Sequence, residues 1–280
     1  EYAKYFSEQE IDTSLTSFYE NKTEEILVVN SDQNIEAIKL ISKDIGSLQA
    51  GTLYHSVVDT KIQGEVIYSL YINEHTYFAI GNILDAFGNK RGSYISYTSH
   101  NMVRFYKSYD GVHALFAKDL VVVKDAIFVL FERNVTAQNT NIGVLELTMQ
   151  GVEVRRKEFI GDQEDIGKHI YYHNNHLYIT GDSSSTTGVY ANHPKQHVFI
   201  FSVYIHNFNQ VQLKSIGNNG LNHLIDSTFF QGKIYCLVKL GGSSGAYQLP
   251  EGSYHGHMLI ELDRYLEEVG RSYFLQQTKG

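Results

Sequence analysis

Residues 117–160 read AKDLVVVKDAIFVLFERNVTAQNTNIGVLELTMQGVEVRRKEFI, and the fold is decided by how this stretch is divided. It contains four apolar runs, Ala117 to Val123, Asp125 to Arg133, Ile142 to Thr148 and Val152 to Ile160, with polar turn residues between them. The runs are rich in β-branched and aromatic side chains, and none sustains an i, i+3, i+4, i+7 pattern over three turns, so each is predicted as a strand. Connections this short join antiparallel neighbours, which predicts a four-stranded meander, its strands a to d in chain order.

Outward from this stretch the same unit recurs. A short apolar run after a polar turn marks strand b at Ile127, and similar runs stand in EEILVV at Ile26, GEVIYSL at Ile67, NHLYIT at Leu177 and GKIYCLV at Ile234. Their spacing of roughly 40 to 60 residues is that of four-stranded propeller blades with added loops. The expectation is an all-β chain, a five-bladed β-propeller of four-stranded antiparallel blades. Residues 1–280 form one domain in this reading, with blades at about 13–54, 55–112, 113–161, 162–217 and 218–275. Residues 1–12 are expected against the joint of the ring. In the second blade, SVVDTKI is read as strand a and VIYSLYI as strand b, leaving Asn73 to Gly92 as a long b-to-c connection. A β-sandwich, a solenoid or a larger ring from a longer chain are the alternatives.

Composition narrows the function. The chain carries 31 acidic and 23 basic residues, a formal net charge of −8, which argues against nucleic acid and anionic lipid as partners. No apolar run approaches the roughly 18 residues of a membrane span. The single cysteine, Cys236, has no internal partner and sits mid-strand, where an inert thiol is expected. A core of this size needs neither a metal nor a disulfide to be stable, so no cofactor is required.

The segment Asn175-His176-Leu177-Tyr178-Ile179-Thr180-Gly181 resembles the strand-b signature of bacterial extracytoplasmic β-propeller repeat proteins, in which a turn residue precedes a hydrophobic, Tyr, hydrophobic, Thr, Gly series. The fifth blade keeps Gly232-Lys233-Ile234-Tyr235 and then departs with Cys236-Leu237. The resemblance covers about a tenth of the chain and supports the fold more than any activity. It implies a binding or scaffold module of the extracellular space or cell envelope.

In a meander of this kind the b-to-c turns and the d-to-a connections emerge on one rim. The b-to-c connections of the fourth and fifth blades, Asp182 to Gln196 and Gly241 to Gly256, are long and resemble each other: both prolines of the chain, Pro194 and Pro250, follow a tyrosine there, Tyr190 and Tyr247. Loops of this length usually carry function. Tyr190, His193, Tyr247 and His255 are therefore candidate ligand contacts for a carbohydrate or a protein, unless the tyrosines anchor their own loops. The leading expectation is a non-catalytic binding module using this rim.

Two further groupings carry possible chemistry. Aligned on the landmarks, Asp59, Asp119, His169 and Asp226 share one position on strand a, the innermost strand. Such a ring of carboxylates suits a hard cation such as Ca²⁺, the acid–base pair of a glycoside hydrolase or lyase in an axial funnel, or structural hydrogen bonds alone. The glutamate general acid of five-bladed glycosidases and tryptophan platforms have no counterpart. His193, His197, His255 and His257 gather on the long-loop rim, where imidazoles suit Zn²⁺.

Overall fold

The computed structural model describes residues 17–20, 25–29, 35–40, 48–51 and 64–275, apart from 74–75, 86, 101, 112–113, 192, 194–195, 243, 248 and 250–255. The strands are β1 (Ser17–Glu20), β2 (Glu25–Val29), β3 (Ile35–Leu40), β4 (Leu48–Gly51), β5 (Gly64–Asn73), β6 (Thr76–Leu84), β7 (Lys90–Ser99), β8 (Met102–Asp110), β9 (Phe116–Val123), β10 (Ala126–Thr136), β11 (Asn139–Thr148), β12 (Glu153–Phe159), β13 (Asp165–His173), β14 (His176–Ser183), β15 (His197–Tyr204), β16 (Val211–Ile216), β17 (His223–Phe230), β18 (Lys233–Leu240), β19 (Gly256–Leu262) and β20 (Glu268–Leu275). They pair in chain order into antiparallel meanders: β1–β4, β5–β8, β9–β12, β13–β16 and β17–β20. The chain divides into two compact units, Glu1–Ala114 and Leu115–Gly280.

In the second unit the strand assignments coincide with the sequence reading. In the first unit one assignment is corrected. GEVIYSLYIN forms β5, the first strand of its sheet, and TYFAIGNIL forms the second, β6. The expected long connection between Asn73 and Gly92 therefore contains a strand, and only a tight turn at Asp85–Asn89 joins β6 to β7. GEVIYSL imitates the landmark because it too is an apolar run after a glycine; the true counterpart is the Phe78–Ile80 run, whose Phe78 and Ile80 are fully buried. Residues 1–12 lie outside the described residues.

The β13–β16 sheet shows why these strands read as continuous apolar runs instead of alternating ones. β15 is buried along nearly its whole length. Its Phe199, Phe201 and Val203, with Leu177 and Ile179 of β14, pack with Phe128, Leu130, Ile142, Val144 and Phe159 of the preceding sheet. Val198, Ile200 and Tyr178 point the other way, into a cluster with Ile234, Cys236, Val238, Met258 and Ile260 of the following sheet. A sheet covered on both faces needs apolar residues at both parities of the pleat. Phe159 and Phe201 stack across the boundary with ring centroids 4.2 Å apart, and each such ring contributes about 1.5–3 kcal/mol by leaving water.

Candidate functional site

The first strand of each meander from β5 onward carries an extra residue in its first half, and β5 has a second between Tyr71 and Asn73. The register of β5 against β6 slips between Val66 and Tyr68, β9 against β10 between Asp119 and Ala117, β13 against β14 between Gly167 and His169, and β17 against β18 between Leu224 and Asp226. These are β-bulges, which re-aim a side chain and leave a residue unpaired. Asp119, His169 and Asp226 all follow the bulge directly, so the structure places them at one register on three successive first strands. Tyr68 holds that position in β5, because the landmark shift displaces the alignment there. Asp59 lies outside the described residues.

His169 sits between the two aspartates. Its Nδ1 lies 3.7 Å from Asp119 Oδ2 and its Nε2 3.1 Å from Asp226 Oδ1. The Asp119 carboxylate is the main influence raising the His169 pKa, with Asp226 adding to it; the longer contact is the stronger influence because the Asp119 side chain is 8% exposed and Asp226 is 70% exposed. Asp119 also accepts the Leu120 N–H at 2.8 Å and, from the next sheet, the Ile170 N–H at 2.9 Å. Beside them the Tyr171 hydroxyl donates to Ser227 O, and Thr180 Oγ1 lies 2.7 Å from Ser227 Oγ.

Two residue pairs away in the register stands a second set that the sequence reading missed. Glu132 of β10 accepts the Gly167 N–H at 3.1 Å and pairs with Lys118 at 3.3 Å. Asp182 of β14 repeats this: it accepts the Leu224 N–H at 2.6 Å and meets Lys168 at 3.4 Å, with His223 Nδ1 at 2.7 Å. Lys118 and Lys168 are the bulge residues themselves. Each carboxylate thus caps an edge N–H of the following sheet, whose own sheet offers it no partner. Burial pushes both Glu132 and Asp182 above the usual carboxylate range. A polar residue directly after a buried strand-b run, as in Ile179-Thr180-Gly181-Asp182, is the signal that would have found them.

The rim built by the long connections differs from expectation in its tyrosines. Tyr190 ends a 3-10 turn (Gly188–Tyr190) and is fully buried, its ring against His197, Phe199 and Phe201. Tyr247 is 6% exposed and lies under Arg271, 4.9 Å from the ring. Neither ring is presented to a ligand. The physical reason is that each loop has few other apolar side chains with which to cover the end of its blade, so the tyrosine fills that role. Gly188 permits the inward path: its φ is +65°, and a Cβ there would lie 2.0 Å from Ile160 O.

Asparagines lock the second loop. Asn218 Nδ2 donates to Gly242 O at 2.7 Å and to Tyr247 O at 3.3 Å. Asn222 Nδ2 reaches Gln196 O at 2.8 Å and Gly220 O at 2.9 Å, and the Asn219 N–H meets Ser244 O at 2.9 Å. The first loop is held by Asp162, which accepts the Thr186 N–H at 2.7 Å and the Thr187 N–H at 3.1 Å. What these frames leave outside is aliphatic: Ile160 is 58%, Val189 39% and Leu221 69% exposed.

The four histidines do not share one environment. His197 is fully buried at the start of β15, with His193 against it at 5.5 Å between centroids. Burial lowers the His193 pKa. His257 is exposed on β19, and His255 lies outside the described residues. Among the described residues no three metal-ligating side chains group closely enough to hold an ion. No described helix is long and apolar enough to cross a membrane.

No known protein family matches the sequence, and no curated protein is similar to it. Solved structures are similar in fold. A lignostilbene dioxygenase from Pseudomonas brassicacearum superposes with a TM-score of 0.52 at 9% identity, over 96% of this chain and 62% of that one. A member of the DUF4221 family from Bacteroides vulgatus gives 0.47 at 12% identity, covering 94% and 81%. A subtype N10 neuraminidase-like protein of A/little yellow-shouldered bat/Guatemala gives 0.47 at 10%, covering 90% and 79%. At 9% identity the likeness to the dioxygenase concerns the fold alone.

Proposed function

We propose that the chain is a five-bladed β-propeller that acts as a non-catalytic binding module, docking a protein partner on the rim formed by residues 160–164, 184–191, 217–222 and 244–247. The observation that carries this reading is the rim itself: backbone fixed by asparagine and aspartate hydrogen bonds, an outer surface of Ser, Thr, Gly and Asn, and exposed Ile160, Val189 and Leu221. A loop already ordered before binding loses little entropy on docking. Aliphatic anchors suit a protein. A sugar would require exposed aromatic planes, and Tyr190 and Tyr247 are turned inward. An extracellular or cell-envelope location accords with the resemblance of residues 175–181 to extracytoplasmic repeats.

A hydrolase or lyase centred on the bulge register is the competing reading. It is favoured by the exposed Asp226 beside His169, but weakened by Asp119, whose two oxygens accept backbone N–H groups, where a catalytic pair needs two carboxyls of separated pKa facing a substrate. Affinity capture of partners, followed by titration of the captured protein, distinguishes the two. Leu221→Asp with Ile160→Asp should weaken binding by at least about tenfold with Tm nearly unchanged, as expected of anchors outside the core. Undiminished binding by the double variant, a glycan-array signal that it retains, or glycosidase turnover lost in Asp226→Asn would each overturn the proposal.

A further inference from the structure

Beneath the first rim loop lies a buried acid that none of the foregoing chemistry uses. Asp165, the first residue of β13, has a side chain with no exposure to solvent. Its Oδ1 accepts the Ser183 Oγ–H at 2.6 Å, while its Oδ2 has no hydrogen-bond partner. The Tyr190 hydroxyl, also fully buried, has none either, and the charge of Asp165 acts on it. Space at this point is closed: a Cβ on Gly161 would lie 2.7 Å from Asp165 Oδ2 and 2.1 Å from Ser185 Oγ.

We propose that Asp165 is a proton-operated latch, whose neutral form seats the 184–191 loop and whose ionised form loosens it. As an acid Asp165 puts no charge beneath the loop, whereas a carboxylate there has one oxygen, Oδ2, with no donor to satisfy it. Asp162 and Glu164, on the connection leading into β13, are anionic neighbours that disfavour ionisation, whereas the Ser183 and Ser185 hydroxyls favour it. The histidine at this end of the sheet is His197 of β15, opposite Ser183 and against the Tyr190 ring. Asp162 is held below the usual carboxylate range by the Thr186 N–H, so it pins the loop's outer edge as an anion while Asp165 supports its root as an acid. Burial, the largest cause, raises Asp165 to about 7. Ionisation then places a second, unpaired charge under the same loop, a costly arrangement in a dry site. The latch goes beyond the docking proposal, since it concerns the loop's own seating.

Hydrogen exchange of the amides of residues 184–191, measured from pH 5.5 to 8.5 and corrected for intrinsic rates, tests it, with β10 and β11 as internal reference. Loop protection should fall by about tenfold or more across that range while the reference strands hold, a local opening; in Asp165→Asn the loop should show no such fall. Equal pH dependence in wild type and Asp165→Asn, or parallel loss in the reference strands, overturns the latch. Should the variant not fold, NMR titration of the Asp165 carboxyl in the wild-type protein decides: a midpoint between about 6 and 8 supports the latch, and one below about 5 overturns it.

Discussion

His169 joins three first strands through two carboxylates, and its raised pKa sets the sign of a pH effect. A histidine bound more tightly as imidazolium stabilises the fold fully below its unfolded pKa, about 6.5, and loses that contribution as pH rises through the higher folded value. Partial exposure screens the pairs, so the effect should be below about 1 kcal/mol. Tm of the wild type is expected to decline from pH 6 to pH 8 more steeply than that of His169→Gln; parallel curves would show that the pairing adds nothing. Tyr190 gives a sharper contrast. With its hydroxyl buried and unpartnered, Tyr190→Phe should be neutral or stabilising by up to about 1 kcal/mol, whereas Tyr190→Ala should cost about 3–5 kcal/mol by opening a cavity, both read from denaturant melts. The sequence marked Tyr190 and Tyr247 as paired features of two loops. Their direction was not legible, because an aromatic in a polar loop has the same local sequence whether it reaches outward or folds under.

At the scale of elements, the repeated bulge and its carboxylate cap are the joints between neighbouring sheets. Removing the cap leaves a buried N–H without its partner and takes the carboxylate away from Lys168 and His223. Asp182→Ala should therefore cost about 1–3 kcal/mol, while Asp182→Asn, whose carbonyl still accepts the Leu224 N–H, should recover part of it. Equal losses in the two variants, by chemical denaturation, would show that the ion pair and not the cap is what matters. The shared register of Asp119, His169 and Asp226 was visible because each stands the same distance before its strand-b landmark, Ile127, Leu177 and Ile234. Glu132 and Asp182 went unread because the polar residue that ends a strand-b run marks a cap only once the N–H it meets on another strand is known. The second meander was misassigned for a related reason: β5 and β6 are both long apolar runs that follow a turn, and local pattern alone does not rank one before the other.

At the scale of the whole molecule, a closed ring of meanders and an open array unfold differently, and Cys236 offers a probe. The thiol has no solvent exposure, and burial pushes it up to about 12, so it is inert to thiol reagents until the β17–β20 sheet opens. In a closed ring each sheet loses a neighbour's cover when any other leaves, so unfolding is a single cooperative event. In an open array, the two compact units 1–114 and 115–280 can melt separately. Far-UV circular dichroism reports the strands of both units, whereas Cys236 labelling reports only the second. A five-bladed ring predicts that, as denaturant is raised, the two signals share one midpoint, the criterion for two-state unfolding. Labelling that begins only after a substantial part of the circular dichroism signal has been lost would mean that the first unit unfolds by itself, and would remove the ring.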